Sequence, residues 1–206
     1  MDEDNLLEGL GKQVVLGISC VGYTDLFGPA VTSCVSLSRE NLERLFPIIT
    51  INNTDSSCDA KIITEMALTI NTLIAPVQQN FVNIYPNRFN ELYMVEGNAV
   101  WIAQWASQKV FSELTRQVGV GRLANATYGV MGSTSDIVHR VSYILGRDRY
   151  LSKLKDISER FGIDLPEGET EKVKEIAKSF FRQFGREKLG YAAKLNLISD
   201  EINGIG

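Results

Sequence analysis

The chain has 206 residues, of which 44% are hydrophobic and 22% charged, and carries a net charge of −4. That length supports one sizeable core or two small ones, and no run of about eighteen apolar residues offers a membrane-spanning helix. The opening Met1-Asp2-Glu3-Asp4 is the reverse of a secretory signal's basic start, and Cys20, Cys34 and Cys58 form neither a close pair nor a zinc-ligand spacing, so the cytoplasm is the expected location.

In chain order, Val14-Val15-Leu16-Gly17-Ile18 is a short apolar run with the character of a buried strand. Gly22 to Asp25 reads as a turn and Phe27-Gly28-Pro29 as a second bend, before an alternating strand from Val31 to Leu37. The two strands suggest an antiparallel, hairpin-like start. Asp59 caps a predicted helix reaching Leu73, with Ile62, Ile63, Met66 and Ile70 at helical spacing. Gln79 to Tyr85 is a third strand, and Asn87 caps a short helix through Tyr93. Asn98 to Thr115 is a strongly amphipathic helix whose Trp101 and Trp105 are expected in the core. Gly119 to Arg122 lacks the Gly-Lys-Ser/Thr of a phosphate loop and reads as a turn.

The remainder reads as helical. Ser133 caps a long helix ending at Phe161-Gly162, a second helix runs from Glu169 to Phe184 and stops at Gly185, and a third covers Arg186 to Leu195. Strands first and helices later predict an α/β fold: a mixed central sheet, possible in reduced form, with helices on both sides and a helical C-terminal part over about 133–198, in one domain spanning 1–206. Charge is unevenly placed. Residues 1–100 carry a balance of −7 and residues 147–194 one of +3. The C-terminal charges alternate as on solvated helices.

Several motifs in order give the chain a family resemblance. Gly17-Ile18-Ser19-Cys20-Val21-Gly22-Tyr23-Thr24-Asp25-Leu26-Phe27-Gly28-Pro29 resembles the signature of ribonuclease HIII, which reads Gly-Ile-Asp-Glu-Val-Gly-Thr-Gly-Asp before its Gly-Pro. Tyr85-Pro86-Asn87-Arg88-Phe89-Asn90 resembles its Asn-Pro-x-x-Tyr-Asn segment, and Ile144 to Leu151 its Ile-Leu-Ala-Arg-Asp-Arg-Phe-Leu. Phe161 to Gly168 and Lys194-Leu195 keep the family order. The resemblance spans roughly residues 14–198. It implies a ribonuclease H-like fold and, in the family, cleavage of the RNA strand of RNA/DNA hybrids with two divalent metal ions held by carboxylates.

The departures fall on that chemistry. The family's adjacent Asp-Glu pair falls on Ser19 and Cys20, an uncharged hydroxyl and a soft thiol, both poor ligands for magnesium. A further family Asp ends a strand after the long helix, and the short stretch here suggests no counterpart. The last carboxylate falls near Ser133 or Thr134, with Asp136 two or three positions on. The family's Gly-Thr-Gly turn becomes Gly22-Tyr23-Thr24, which places side chains where backbone would approach a 2′-hydroxyl. Its Asp-Ser-Lys-Lys-Leu becomes Asn53-Thr54-Asp55-Ser56-Ser57, without cations.

Neither a metal nor another cofactor is therefore expected, and the reading is of a pseudoenzyme working through protein contacts, such as a regulator, a scaffold or an antitoxin-like inhibitor in a toxin–antitoxin system. A basic toxin or nuclease is the expected partner, since the acidic residues 1–100 disfavour phosphate. Tyr23, Leu26 and Asp25 are the candidate binding residues, with Tyr23 expected to be exposed in its turn and Phe27 packed in the core. Two other readings are a non-cleaving module for RNA or RNA/DNA hybrids, using the basic C-terminal helices, and a metal nuclease with relocated carboxylates Asp25, Asp55 and Asp136. His139 reads as a helical neighbour of Asp136, and Cys20 as a buried thiol.

Overall fold

The strand β1 (Val14–Val21) is buried along its whole length, Ser19 included, as a mostly apolar strand covered on both faces requires. A computed structural model describes residues 13–49, 58–119, 123–130, 136–168 and 170–198. β2 (Ala30–Ser38) follows β1, then helix α1 (Arg39–Leu45), helix α2 (Ala60–Leu73), β3 (Gln79–Ile84), helices α3 (Pro86–Glu96) and α4 (Ala99–Val118), β4 (Leu123–Val130), and helices α5 (Ile137–Phe161) and α6 (Glu171–Ala192). The sheet has the order β3-β2-β1-β4, with β1 in the interior. β3, β2 and β1 are antiparallel, and β4 runs parallel to β1, pairing Ser19 with Gly129 and Cys20 with Val130. The sheet is mixed, as expected, but β4 occupies a stretch in which no strand was expected, the interval between the helices being too short for the family's strand, helix and strand.

Contacts divide the chain into two compact units. One comprises Met1–Cys20, Thr32–Val82 and Trp105–Asp148; the other comprises Val21–Val31, Asn83–Gln104 and Arg149–Gly206. In the first unit, strand alternation sorts β1 onto two helical layers. Leu16 and Ile18 join Cys34 of β2 and pack on Val110 and Leu114 of α4. Gly17 faces the other way, so close to α5 that a Cβ there would lie 2.4 Å from the Val138 carbonyl oxygen. Ser33 of β2 donates to the Ser142 carbonyl at 2.7 Å on that same side. α1 was not among the expected elements. Ser38 and Asn41 form a capping box at its start, with Asn in place of the usual Glu or Gln.

The second unit is held by helix packing and by Asn90 of α3. Its amide donates to the carbonyls of Gly190 and Ala193 at 3.1 and 3.0 Å, and its oxygen accepts from the Leu195 N–H at 2.8 Å. Phe161, Phe180 and Phe184 form an aromatic cluster joining α5 to α6. α3 begins at Pro86, one residue before the expected Asn87 cap, because proline suits the first helical position. α6 contains the expected break at Gly185, whose φ is 78°. The charged residues of α5 and α6 pair locally, as in Lys153–Asp156 and Lys174–Glu171.

Candidate functional site

β1 ends in the first unit with Ser19 and Cys20, where the resemblance places two carboxylates. Both are closed off, at 1% and 2% exposure. Cys20 points to the α4 side, as alternation requires, and its Sγ lies 3.5 Å from Thr32 Oγ1 and 3.6 Å from Ser107 Oγ, within hydrogen-bond range for sulfur. Ser19 falls on the α5 side, and its Oγ has no hydrogen-bond partner among the described residues. Thr32 and Ser107 were not singled out in the sequence. Ser107 does lie three and seven residues before Val110 and Leu114, a spacing that marks it as inward-facing.

Magnesium or manganese needs several anionic oxygens. A buried hydroxyl and a thiol engaged by two further hydroxyls do not fit such an ion. Among the described residues no three His, Cys, Asp or Glu side chains converge on one point. Asp136 is used locally: its carboxylate accepts from the Val138 N–H at 2.9 Å and caps α5. His139, three residues on, is buried. β4 lies beside β1, from Val14 opposite Leu123 to Cys20 opposite Val130, and neither Leu123 to Val130 nor Met131 and Gly132 include a carboxylate. Ser133, Thr134 and the stretch Asn53 to Ser57 lie outside the described residues.

In the second unit, the turn from Val21 to Val31 brings Tyr23, Asp25 and Leu26 into one loop, but not as a docking surface. Tyr23 was expected to be exposed and is 7% exposed; its ring meets Phe89 edge-on, with centroids 6.1 Å apart. Leu26 is also buried, its backbone joined to the Gly168 carbonyl and the Lys194 N–H. Tyr23 was read from a turn position, which does not reveal what closes over the turn. Asp25 is half-buried, and Phe27 is in the core as expected. Gly22 has a φ of 77°, and a Cβ there would lie 2.4 Å from the Pro29 carbonyl oxygen, so the turn requires glycine.

Lys194 closes this loop from inside. It is fully buried, and its Nζ donates to the Asp25 and Gly28 carbonyls at 2.8 and 2.7 Å. Burial pushes its pKa down to about 7, with the Asp25 carboxylate opposing that shift. Burial also pushes the Cys34 thiol up to about 12, which leaves it protonated and inert.

The exposed apolar surface of this unit lies elsewhere. Met94 and Val95 at the end of α3 are 87% and 81% exposed, and Val100 and Trp101 at the start of α4 join them across the left-handed Gly97. In the first unit, Trp105 is also exposed, with Lys109 Nζ 5.3 Å from its ring centroid. The expectation of a core role for Trp101 and Trp105 is thus corrected: Ile102, Ala106 and Val110 form the buried side of α4 instead.

The chain is 25% identical over 202 residues to the ribonuclease HIII of Chlamydia caviae, covering 87% of this chain and 66% of that protein. It is 26% identical over 187 residues to the ribonuclease HIII of Aquifex aeolicus, covering 85% of this chain and 69% of that one. The solved structure of Bst-RNase HIII in complex with Mn2+ matches it with a TM-score of 0.80 at 17% identity, over 95% of this chain and 70% of that chain. No family model matches. The chain resembles ribonuclease HIII and has a ribonuclease H-like fold, and it spans about two thirds of the length of these curated relatives.

Proposed function

We propose that this chain is a catalytically inactive ribonuclease HIII-like protein that acts through a partner protein of basic character, as an antitoxin-like inhibitor or regulator of a toxin or nuclease. The observation that carries the reading is the buried Ser19–Cys20 pair with its Thr32 and Ser107 neighbours, which offers a two-metal reaction no anionic oxygen. Contact through protein is supported by the exposed apolar run Met94, Val95, Val100 and Trp101, since side chains of this size clustered on a surface mark interaction sites. The −7 balance of residues 1–100 favours a basic partner and disfavours phosphate. Three free thiols suit a reducing cytoplasm.

The test is cleavage of an end-labelled RNA/DNA hybrid in millimolar magnesium or manganese, beside pull-down of the native protein with its partner at physiological salt. The expected result is no cleavage above the blank and recovery of a basic protein. Cleavage that Asp136→Asn abolishes would establish a nuclease with relocated carboxylates instead. Submicromolar hybrid binding with no protein recovered would favour the nucleic-acid module.

A further inference from the structure

The second unit contains a cleft that the reading above does not use. Three elements line it: the entry to α3 with Tyr85 and Asn87, the end of α5 with Asp156 and Arg160, and the end of α6 with Tyr191. Its volume is ≈ 400 Å³, within the range of about 300–1,000 Å³ common to small-molecule sites. Buried Ile157 and half-buried Phe161 supply apolar wall.

The polar groups specify a ligand class. Tyr85 and Tyr191 are 41% and 40% exposed, high for residues that normally bury their rings. Arg160 places its guanidinium 6.0 Å from the Tyr191 ring centroid and 5.7 Å from that of Phe161. Among the described residues it makes no ion pair, so its planar fork of donors is free for an anion. The one carboxylate of the cleft, Asp156, is already paired with Lys153 Nζ at 2.7 Å. Its oxygens retain lone pairs for hydroxyl donors, and the Asn87 amide is a second neutral partner.

We propose that this cleft binds a nucleoside 5′-monophosphate, with the base against the tyrosine rings, the phosphate on Arg160, and the ribose hydroxyls on Asp156 and Asn87. A single unpaired arginine matches one phosphate. A di- or triphosphate would need further cations that the cleft does not line up. The tyrosine faces accept any base, so the site is selective for the phosphate and the sugar and tolerant of the base. The proposal is independent of the partner-protein reading.

Calorimetric titration of the whole protein with adenosine and uridine 5′-monophosphates tests it, with adenosine, inorganic phosphate and a 5′-phosphorylated oligonucleotide as the other probes. Both monophosphates bind with submillimolar dissociation constants, and adenosine or phosphate alone binds at least tenfold more weakly. Arg160→Gln weakens the monophosphates at least tenfold. Tyr85→Ala, on a different element, weakens them severalfold, so the test does not rest on one variant's folding. Four results overturn the proposal: no saturation of either monophosphate by about 10 mM, phosphate binding as tightly as the monophosphates, binding of the oligonucleotide alone, or indifference to both substitutions.

Discussion

Lys194 directs its ammonium at the Asp25 and Gly28 carbonyls in a site from which water is excluded. A lysine whose folded-state pKa falls to about 7 is below the ordinary unfolded value of about 10.4. Between those two values the unfolded chain holds a proton that the native chain has released, so this residue's contribution to stability rises with pH across that window. Lys194→Met leaves two buried carbonyls without a donor, a loss of about 1–3 kcal/mol. Urea unfolding at pH 6 and pH 9 checks both points: the loss is larger at pH 9, and a pH-independent loss would refute the shifted charge state. None of this was legible in the sequence, where Lys194 is one of twelve basic residues between 147 and 194. Tyr23 was misread for a related reason. A turn is visible in a sequence, but Phe89, which covers Tyr23, lies 66 residues away in the chain.

At the scale of elements, α5 rests directly on β1 because Gly17 has no side chain to hold it off. Gly17→Ala would place a methyl group 2.4 Å from a backbone oxygen that cannot rotate away. Overpacking of this kind costs about 1–3 kcal/mol. Gly190 gives the opposite expectation. It sits inside α6, and its added Cβ would be 3.6 Å from Leu195 Cδ1, an ordinary contact, so Gly190→Ala stabilises by about 0.4–1 kcal/mol. Denaturation midpoints of the two variants, one lowered and one raised, check the pair. β1 was legible as a short apolar run, and β2, α2 and α4 because their apolar residues repeat with period two or near 3.6. β4 was not. Leu-Ala-Asn-Ala-Thr-Tyr-Gly-Val has one β-branched residue before its final valine and two alanines, and its pairing with β1 is a long-range parallel contact that no local pattern announces.

The motif order that gave the resemblance to ribonuclease HIII was legible over nearly the whole chain, and so was the presence of Ser19 and Cys20 where that resemblance places two carboxylates. The engagement of Cys20 by Thr32 and Ser107 was not, because it depends on three separate elements meeting. Under the proposed function, with a hydroxyl and a thiol at Ser19 and Cys20, the stability of the molecule as a whole is expected to be independent of divalent metal. Ten millimolar magnesium acting on a site with a dissociation constant of about 0.1 mM would add roughly 2.7 kcal/mol, a rise in melting temperature of several degrees for a chain of this size. The expected change, by calorimetry with magnesium, manganese or a chelator, is under about 1 °C. The pairing of β1 with β4 also bears on how the chain is made. Val14 waits for Leu123, an interval of roughly 5–20 s on a ribosome adding about 5–20 residues per second. Throughout that interval one flank of a strand that is entirely buried in the native fold has backbone amides and carbonyls with no mate, an invitation to neighbouring nascent chains. A chain released before Leu123 should therefore aggregate where the full-length product stays dispersed, and ultracentrifugation of the two translation products would tell them apart.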